Sequence, residues 1–308
     1  MSGPTMPPVY FINLARRTDR RERLETRLQA LGLTGIRIDA VTPDTIPADV
    51  MKRHQASPKD RRMTNPEVAC LMSHRRALET FLDSGAPVAV ILEDDVILAS
   101  RFAETIASLA ADSAIGIVRL ERMTPRFKVG AAKRSHGDLG ALYPVRQYDW
   151  GAAAYLLTAS AARKLLDLDY PMMVPADYWV FDLGFAKPRG EALEQFVPAI
   201  AIQERLLADR CGANPDSDLE EERVKRGNLF DIPRYYIEWN PRFREFGRFA
   251  YRLHVGWRRW RAGNPVFART LKVDVPFADP LPGLADTLPG RDEKAPRQEA
   301  TGQPHAAT

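Results

Sequence analysis

Three consecutive carboxylates, Glu93-Asp94-Asp95, directly follow the apolar run Pro-Val-Ala-Val-Ile-Leu at 87–92. The run is short and rich in β-branched residues, which predicts a buried strand. Residues i and i+2 of a strand share a face, so Glu93 and Asp95 are predicted to point together and Asp94 away. Such close carboxylates repel one another unless a cation or solvent separates them, and hard oxygen ligands suit Mn²⁺ or Mg²⁺. The pattern therefore predicts a divalent metal site whose remaining positions are filled by substrate phosphates. The alternative is an exposed acidic turn.

The surrounding sequence predicts an α/β domain. Predicted strands lie at 9–14, 36–41, 87–92, 115–120, 143–148, 152–157 and 196–202. Predicted helices begin at Thr18 or Asp19, at a Thr64–Glu67 capping box, near Phe102, after Thr158 or Ser160, and at Pro175. Residues 42–63 and 122–138 are predicted as loops, and 149–151 as the turn between two strands. The carboxyl ends of sheet strands bind ligands in such folds, which is where the acidic triplet lies.

Composition excludes several classes of protein. The chain has 308 residues, with 44 Lys and Arg against 40 Asp and Glu, and two cysteines, Cys70 and Cys211. Two distant cysteines do not form the disulfide framework of a small secreted domain. The first residues lack the pattern of a signal peptide, and no apolar run approaches the roughly 18–20 residues of a membrane-spanning helix. These features predict a cytoplasmic protein.

The net charge of +4 is concentrated in one segment. Residues 234–272 hold ten Lys or Arg, two acids and ten of the 27 aromatic residues, so the rest of the chain has 34 basic and 38 acidic residues. An apolar stripe recurs there at helical spacing: Phe243, Phe246, Ala250, Leu253, Trp257 and Trp260. An apolar stripe flanked by arginines indicates an amphipathic helix on an anionic membrane, as a peripheral protein would have. The alternatives are a helix packed on the domain and, less favoured, binding to nucleic acid.

Four motifs in order resemble glycosyltransferase family 25. They are Ile12-Asn13-Leu14 followed by Arg16-Arg17 and Asp19-Arg20-Arg21, then Glu67 to His74 with the pattern E-x-x-C-x-x-S-H, Ile91 to Asp95, and Gly151 to Lys164. The resemblance covers 9 to about 205. Ala15 and Ala152 depart from the residues common in the family, which leaves the donor sugar open.

The resemblance implies a GT-A-like fold that binds a nucleotide sugar. It further implies a divalent metal, Mn²⁺ or Mg²⁺, and inverting transfer, typically of galactose from UDP-galactose, to a glycan or glycolipid acceptor in lipopolysaccharide synthesis. UDP-glucose as donor, or a non-catalytic membrane-associated binding protein, are the alternatives. The predicted organisation is a GT-A-like domain at 9–213, a linker at 214–233, a basic helical segment at 234–275 and a disordered tail at 276–308.

The same motifs suggest donor-binding residues. Asn13 and Arg17 follow the first strand, where the nucleotide should dock, and an arginine there could bind phosphate bidentately, with Arg16 a second candidate. Asp94 is predicted to contact the ribose or the donor sugar. The alternative for the two arginines is a solvated helix start.

Ser73 and His74 lie in the middle of a predicted helix. Within the E-x-x-C-x-x-S-H motif both become candidate donor-binding residues, and His74 could complete the metal shell or bind the diphosphate. A buried histidine with a satisfied hydrogen bond is the alternative. Glu67 is interpreted as the capping-box acid, and Cys70 as a small buried core residue.

Asp177 is the predicted catalytic base. Glu93 and Asp95 are the predicted metal ligands, and the transfer also needs a base that accepts the proton of the acceptor hydroxyl. Asp177 follows Pro175-Ala176 at a predicted helix start, where the helix dipole favours its ionised form, and a plain helix cap is the alternative. Asp149 and Asp182 are the other candidate bases. The aromatic residues predicted to stack on a sugar are Trp150, Tyr178 and Trp179.

Overall fold

The computed structural model describes residues 6–56, 63–123, 126–131, 133–146, 150–168, 174–181, 191–206 and 270–278. These residues form an α/β protein, as the sequence predicted. The strands are β1 (Val9–Asn13), β2 (Gly35–Asp39), β3 (Val88–Glu93), β4 (Val96–Leu98), β5 (Ile117–Arg119), β6 (Arg126–Gly130), β7 (Arg134–Ser135), β8 (Ala141–Pro144), β9 (Ala154–Thr158), β10 (Leu193–Val197), β11 (Ala201–Gln203) and β12 (Thr270–Asp274). The helices are α1 (Thr18–Ala30), α2 (Ala48–Ala56), α3 (Asn65–Asp83), α4 (Phe102–Ala110), α5 (Ala159–Leu166) and α6 (Ala176–Phe181).

The central sheet brings several strand ends to one edge. Its eight strands have the order β2-β1-β3-β9-β5-β10-β8-β7. β1 is parallel to β2 and β3, while β9 runs antiparallel between β3 and β5. The carboxyl ends of β1, β3 and β5 therefore meet the amino end of β9. β11 pairs with β4 just beyond β3 and adds Gln203 to the same edge.

Side chains of the central strands alternate between two buried layers, as the period of two in a strand requires. Val9 and Phe11 pack in the layer formed with α1 and α4. Tyr10 and Ile12 point the other way and pack with α3, α5 and α6. The sheet thus lies between helices, and the edge that carries the acidic triplet is held from both faces.

Two predicted helix caps are confirmed. The Thr64 hydroxyl accepts the N–H of Glu67, and the Glu67 carboxylate accepts the N–H of Thr64 at 2.9 Å. Thr158 caps α5 by accepting the N–H of Ala161. These bonds satisfy donors that have no partner in the first turn of a helix.

The predicted cap of α1 is wrong. Arg17, not Thr18 or Asp19, is the cap residue, and no side chain makes a capping hydrogen bond there. The Asp19 carboxylate instead accepts two hydrogen bonds from the Arg17 guanidinium, each of 3.0 Å. The ion pair therefore takes the carboxylate that the capping pattern required.

Both regions predicted as loops contain regular structure. Residues 42–63 include a 3₁₀ turn at Pro43–Thr45 and helix α2, which buries Val50 and His54, four residues apart on one face. Residues 122–138 include β6, β7 and a 3₁₀ turn at Gly137–Leu139. The basic residues that suggested a loop at 122–138 lie partly in these short strands. β6 pairs with β12, which is distant in sequence, and β7 pairs with β8, which is short.

Two strand predictions need correction. The strands predicted on either side of 149–151 are not neighbours, because β9 pairs with β3 and β5, whereas β8 pairs with β10 and β7. The single strand predicted at 196–202 is two strands, β10 and β11, with Pro198 between them. Proline has no N–H to donate to a sheet, which explains the interruption.

The C-terminal boundaries also change. β12 lies inside the 234–275 segment, so the helical prediction is wrong for Thr270–Asp274. Pro276 and Ala278 hydrogen-bond to the main chain of Ala199, although the sequence predicted a disordered tail from 276. The predicted linker at 214–233 and the apolar stripe lie outside the described residues, as does the rest of the tail.

Candidate active site

Glu93 is held from two sides at the end of β3. Its Oε2 accepts a hydrogen bond from Gln203 Nε2 at 3.1 Å, and its Oε1 lies 3.4 Å from His74 Nε2. Burial opposes ionisation, but the contact with His74 and the charge of Arg205 hold the pKa of Glu93 below its ordinary value. Glu93 is therefore an ionised carboxylate with a fixed orientation.

His74 reaches this carboxylate from α3 and is fully buried. Its Nδ1 lies 3.0 Å from the hydroxyl of Tyr155, and the two rings stack with centroids 5.8 Å apart. Burial and the Glu93 charge raise the pKa of Tyr155 well above its ordinary value, so the hydroxyl stays protonated. The structure thus brings His74 to a predicted metal ligand, as the sequence suggested.

Asp94 has different partners from Glu93. Its Oδ2 accepts a 2.7 Å hydrogen bond from Asn13 Nδ2, and its Oδ1 lies 3.2 Å from Arg20 Nη1. Burial outweighs both contacts, so the pKa of Asp94 is raised. Asp94 points towards Arg20 of α1, which Asp95 also approaches. Because β3 ends at Glu93 and both aspartates lie in the following turn, the predicted strand alternation does not extend to them.

Asp95 keeps one buried oxygen unused. Its Oδ2 lies 3.8 Å from Arg20 Nη1, whereas its Oδ1 is buried and has no hydrogen-bond partner among the described residues. Burial and the nearby charge of Glu93 raise the pKa of Asp95 to about 7, despite the charge of Arg20. An orphaned buried carboxylate oxygen is costly, which points to a ligand that it binds.

Glu121 is a site residue that sequence reasoning missed. It is fully buried just after β5, where its Oε1 accepts the N–H of Ala153 at 2.8 Å and its Oε2 has no hydrogen-bond partner in the described part of the chain. Burial raises its pKa to about 8 against the charge of Arg119, and the charges of Glu93 and Asp95 add to the rise. The available signal was an acid directly after a predicted strand, the pattern that singled out Glu93.

Glu204 was also missed, but its environment is different. Its Oε1 lies 2.8 Å from Arg27 Nη1 and 3.4 Å from Arg23 Nε, and its N–H donates to the Asp95 carbonyl. Glu204 and Arg27 are each 3% exposed. Two arginines of α1 neutralise the charge of the Glu204 carboxylate, and the Glu204 N–H holds the turn at Asp95 in place.

The donor set fits a hard divalent cation. Asp95 and Glu121 each offer a buried oxygen without a hydrogen-bond donor among the described residues, and the charge of Glu93 acts on both. Carboxylate oxygens are the ligands that Mn²⁺ and Mg²⁺ prefer. Mutual repulsion and burial destabilise these charges when no cation is present. The residues at the predicted metal site therefore have the chemistry that such an ion needs.

The predicted donor-binding residues of the first strand end are engaged within the protein. Asn13 is 1% exposed, donates to Asp94 and to the Arg17 carbonyl, and accepts from Arg37 Nε at 3.0 Å. It therefore orients Asp94. Arg17 forms an ion pair with Asp19 at the start of α1, and Arg16 is exposed to solvent.

Ser73 has its hydroxyl bound to the main chain. It accepts the N–H of Val41 at 2.8 Å and donates to the Ala69 carbonyl at 2.8 Å. These bonds fasten the segment after β2 to α3. The structure places Ser73 one residue from His74 but gives its hydroxyl this supporting contact.

Asp177 fixes the loop that precedes β9. Its Oδ2 accepts the N–H of Gly151 at 3.1 Å and its Oδ1 accepts its neighbour Tyr178 N–H at 2.8 Å. Gly151 has φ of 89°, and a Cβ there would lie 2.8 Å from Met123 Cγ and 3.1 Å from Glu121 Oε1. Only glycine fits this position, which links Asp177 to the carboxylate cluster through one residue.

Trp150 is the exposed member of the three aromatic residues predicted to stack on a sugar. Its side chain is 41% exposed, Trp179 is 2% exposed and Tyr178 is half-buried. Arg119 donates hydrogen bonds to the carbonyls of Trp150 and Gly151, which fix the backbone that carries the indole. Asp149 and Asp182, the other candidate bases, lie outside the described residues.

Comparison with known proteins places these residues in a family. The profile described as "Glycosyltransferase family 25 (LPS biosynthesis protein)" matches residues 6–180, which include the strand ends, α3 and Asp177. The chain belongs to glycosyltransferase family 25. The predicted resemblance is thereby confirmed, and the mixed sheet with helices on both faces fits an α/β glycosyltransferase.

Several members of family 25 are similar to this chain over different lengths. The lacto-N-neotetraose biosynthesis glycosyltransferase LgtE of Neisseria meningitidis serogroup B is 27% identical over 251 residues, 73% of this chain and 87% of that protein. LgtB of the same organism is 28% identical over 212 residues, 63% of this chain and 74% of LgtB. A probable inactive glycosyltransferase 25 family member 3 of Bos taurus is 29% identical over 185 residues, 55% of this chain and 30% of the bovine protein.

None of the described helices has the length and apolar character needed to cross a membrane.

Proposed function

We propose that this family 25 protein transfers a hexose, galactose in the first instance, from a UDP-sugar to a hydroxyl of a glycan or glycolipid. The transfer is metal-dependent and inverts the anomeric carbon. The observation that carries the proposal is the cluster of carboxylates at the sheet edge, in which Asp95 and Glu121 each keep a buried oxygen without a donor. The names of LgtE and LgtB, which refer to lacto-N-neotetraose biosynthesis, support an oligosaccharide acceptor such as that of lipopolysaccharide.

The carboxylates at the sheet edge have different proposed roles in binding the donor. Asp95 and Glu93 would hold a Mn²⁺ or Mg²⁺ ion, and the buried oxygen of Glu121 would be a further ligand. Such an ion supplies charge stabilisation for the departing nucleoside diphosphate. Asp94, which Asn13 orients, would accept hydrogen bonds from the hydroxyls of the ribose or the donor sugar.

Asp177 is the proposed base. In the transfer, the acceptor oxygen bonds to the anomeric carbon, the bond from that carbon to the diphosphate breaks, and the acceptor proton passes to a carboxylate. The N–H groups of Gly151 and Tyr178 fix the Asp177 carboxylate and leave further lone pairs on its oxygens. The proposed base, on α6, thereby lies beside the loop that carries Trp150.

The Asp177→Asn substitution tests this role. A general base contributes about 10²–10⁴-fold to a rate, so kcat for transfer should fall by that factor while Mn²⁺-dependent UDP binding stays unchanged. Steady-state transfer and UDP titration measure the two quantities. Normal turnover of the variant would show that another group takes the proton.

The alternative, a non-catalytic binding protein, is favoured by one observation. Relatives from Bos taurus and Homo sapiens carry "inactive" in their names. An assay of transfer and donor hydrolysis with UDP-galactose, UDP-glucose and UDP-N-acetylhexosamines, with Mn²⁺ or with EDTA, separates the two functions. We expect Mn²⁺-dependent turnover with UDP-galactose preferred. Absence of turnover with every donor, together with retained UDP binding, would establish the binding protein.

The basic segment 234–272 is the proposed membrane contact. Its ten Lys or Arg residues and aromatic content suit an anionic lipid surface, where glycolipid acceptors reside. Binding to vesicles that contain an anionic phospholipid should weaken as salt is raised and should be lost when 234–269 is deleted, which leaves β12 in place. Unchanged vesicle binding after the deletion would reject this role.

A further inference from the structure

A second kind of ligand set lies beside the carboxylate cluster. Cys70 and His74 are four residues apart on α3, so they share one face of the helix. Glu93 approaches that face from the end of β3. The Cys70 Sγ, a ring nitrogen of His74 and a carboxylate oxygen of Glu93 all lie within 4.8 Å of one another. This set combines a thiol, an imidazole and a carboxylate.

The separation of His74 from Glu93 is informative. Their Nε2 and Oε1 atoms are 3.4 Å apart, which is long for a hydrogen bond between imidazole and carboxylate, normally about 2.7–2.9 Å when charge-assisted. Zn–N and Zn–O bonds of about 2.0–2.2 Å at a tetrahedral angle place nitrogen and oxygen about 3.4 Å apart. The two atoms therefore have the spacing of neighbouring ligands of a tetrahedral ion.

The side chains of His74 and Glu93 are each oriented by a hydrogen bond to a residue outside the set. The Nδ1 of His74 lies 3.0 Å from the Tyr155 hydroxyl, which leaves Nε2 facing Glu93. The Oε2 of Glu93 accepts from Gln203, which leaves Oε1 facing His74. Metal-binding histidines and carboxylates characteristically have such hydrogen bonds on the atom that does not bind the metal.

We propose that Cys70, His74 and Glu93 bind one transition-metal ion of the Zn²⁺ class, with a fourth position open to water. Thiolate and imidazole ligands select Zn²⁺ and Co²⁺ over Mg²⁺ and Mn²⁺, so this site differs in chemistry from the oxygen site of Asp95 and Glu121. Glu93 is the one residue that the two sites share. Binding releases the Cys70 proton to solvent, because the thiolate is the ligand. The ion would join α3 to β3 and fix the orientation of Glu93.

The test is a Co²⁺ titration of the full-length protein, stripped with EDTA and kept free of oxygen. We expect one equivalent of Co²⁺ to bind with a thiolate-to-cobalt charge-transfer absorption, which Zn²⁺ then abolishes by displacement. The absorption should be lost in Cys70→Ser and retained in the matched control Cys211→Ser. Retention in Cys70→Ser, loss in Cys211→Ser, or no binding to the wild-type protein would each overturn the proposal.

A second variant guards against misfolding and separates the site from the proposed transferase. Tyr155→Phe keeps the buried ring and removes only the partner of His74, so Co²⁺ should bind about 10–100-fold more weakly. Unchanged Co²⁺ affinity would contradict the outer contact on which the proposal depends. Cys70→Ser should retain Mn²⁺-dependent UDP binding, so loss of Co²⁺ binding there leaves the transferase proposal intact. If Cys70→Ser lost UDP binding together with Co²⁺ binding, a separate metal site at Cys70 would be rejected.

Discussion

The carboxylates at the sheet edge fall into two groups with opposite surroundings. Asp94 and Glu204 face α1, where Arg20 and Arg27 lie 3.2 and 2.8 Å from their oxygens. One oxygen of Glu121 and one oxygen of Asp95 are buried without any hydrogen-bond donor from the described residues. Arginines of the protein thus neutralise the carboxylates of the first group, whereas those of the second group are either charged without a partner for one oxygen or protonated.

The difference separates carboxylates of the structural framework from those of the candidate site. A buried charge that is paired and hydrogen-bonded is tolerated, whereas an unpaired one carries a large desolvation cost. Glu204 therefore belongs to the framework that holds the turn after Asp95. Asp95 and Glu121 are costly in the protein alone, and perturbed groups of this kind concentrate at functional sites.

Removing the framework carboxylate should have the largest effect on stability. Glu204→Gln leaves Arg27, itself 3% exposed, without its ion-pair partner, so the free energy of unfolding should fall by about 3–5 kcal/mol. Denaturant unfolding monitored by circular dichroism measures the change. Glu104→Gln is the matched control, because the pair of Glu104 with Arg101 is solvent-exposed, and its midpoint should not change. Equal midpoints for the two variants would show that Glu204 is not a framework residue.

The carboxylates without a hydrogen-bond donor should be revealed by the pH dependence of the free energy of unfolding. Glu121 has an ordinary pKa of 4.5 and a pKa of about 8 in the folded protein, so the folded state binds more protons between these values. The contribution of this proton to the stability of the metal-free protein is therefore full below about pH 4.5 and is lost as pH rises towards 8, by up to about 1.4 kcal/mol per pH unit.

Glu121→Gln provides the comparison for that profile. The amide oxygen still accepts the Ala153 N–H, but the titrating proton is gone, so the dependence on pH should become shallower. Unfolding midpoints at several pH values, without metal, measure the slope. A variant as pH-dependent as the wild type would place the titration elsewhere, and Asp95, with a pKa of about 7, would be the next residue to change.

Local patterns were sufficient to predict much of the site. An acidic triplet after an apolar strand identified Glu93, Asp94 and Asp95, and a capping box located the helix that carries His74. These signals are short-range, since alternation and caps depend on residues two to four positions apart. The motif resemblance then placed the residues in a family that the profile match confirms.

The parts that the sequence did not predict depend on contacts between distant residues. Glu121 becomes a site residue only because β9 inserts between β3 and β5 and places Ala153 beside it. The pairing of β12 with β6 joins residues 140 to 148 positions apart, which no local pattern encodes. Asp19 followed the rule for a helix cap, yet an ion pair with Arg17 took its carboxylate.

The central claim is that Asp95 belongs to a metal site that binds the donor diphosphate. Its most direct test is calorimetric titration of UDP into the wild-type protein, Asp95→Asn and the exposed control Asp83→Asn, each with Mn²⁺ and with EDTA. We predict that Mn²⁺ is required for tight UDP binding to the wild type and to Asp83→Asn, and that Asp95→Asn weakens it by at least about 100-fold, since even outer-shell changes cost 10–100-fold. UDP binding to Asp95→Asn that equals the wild type, or wild-type binding that ignores EDTA, would contradict the claim.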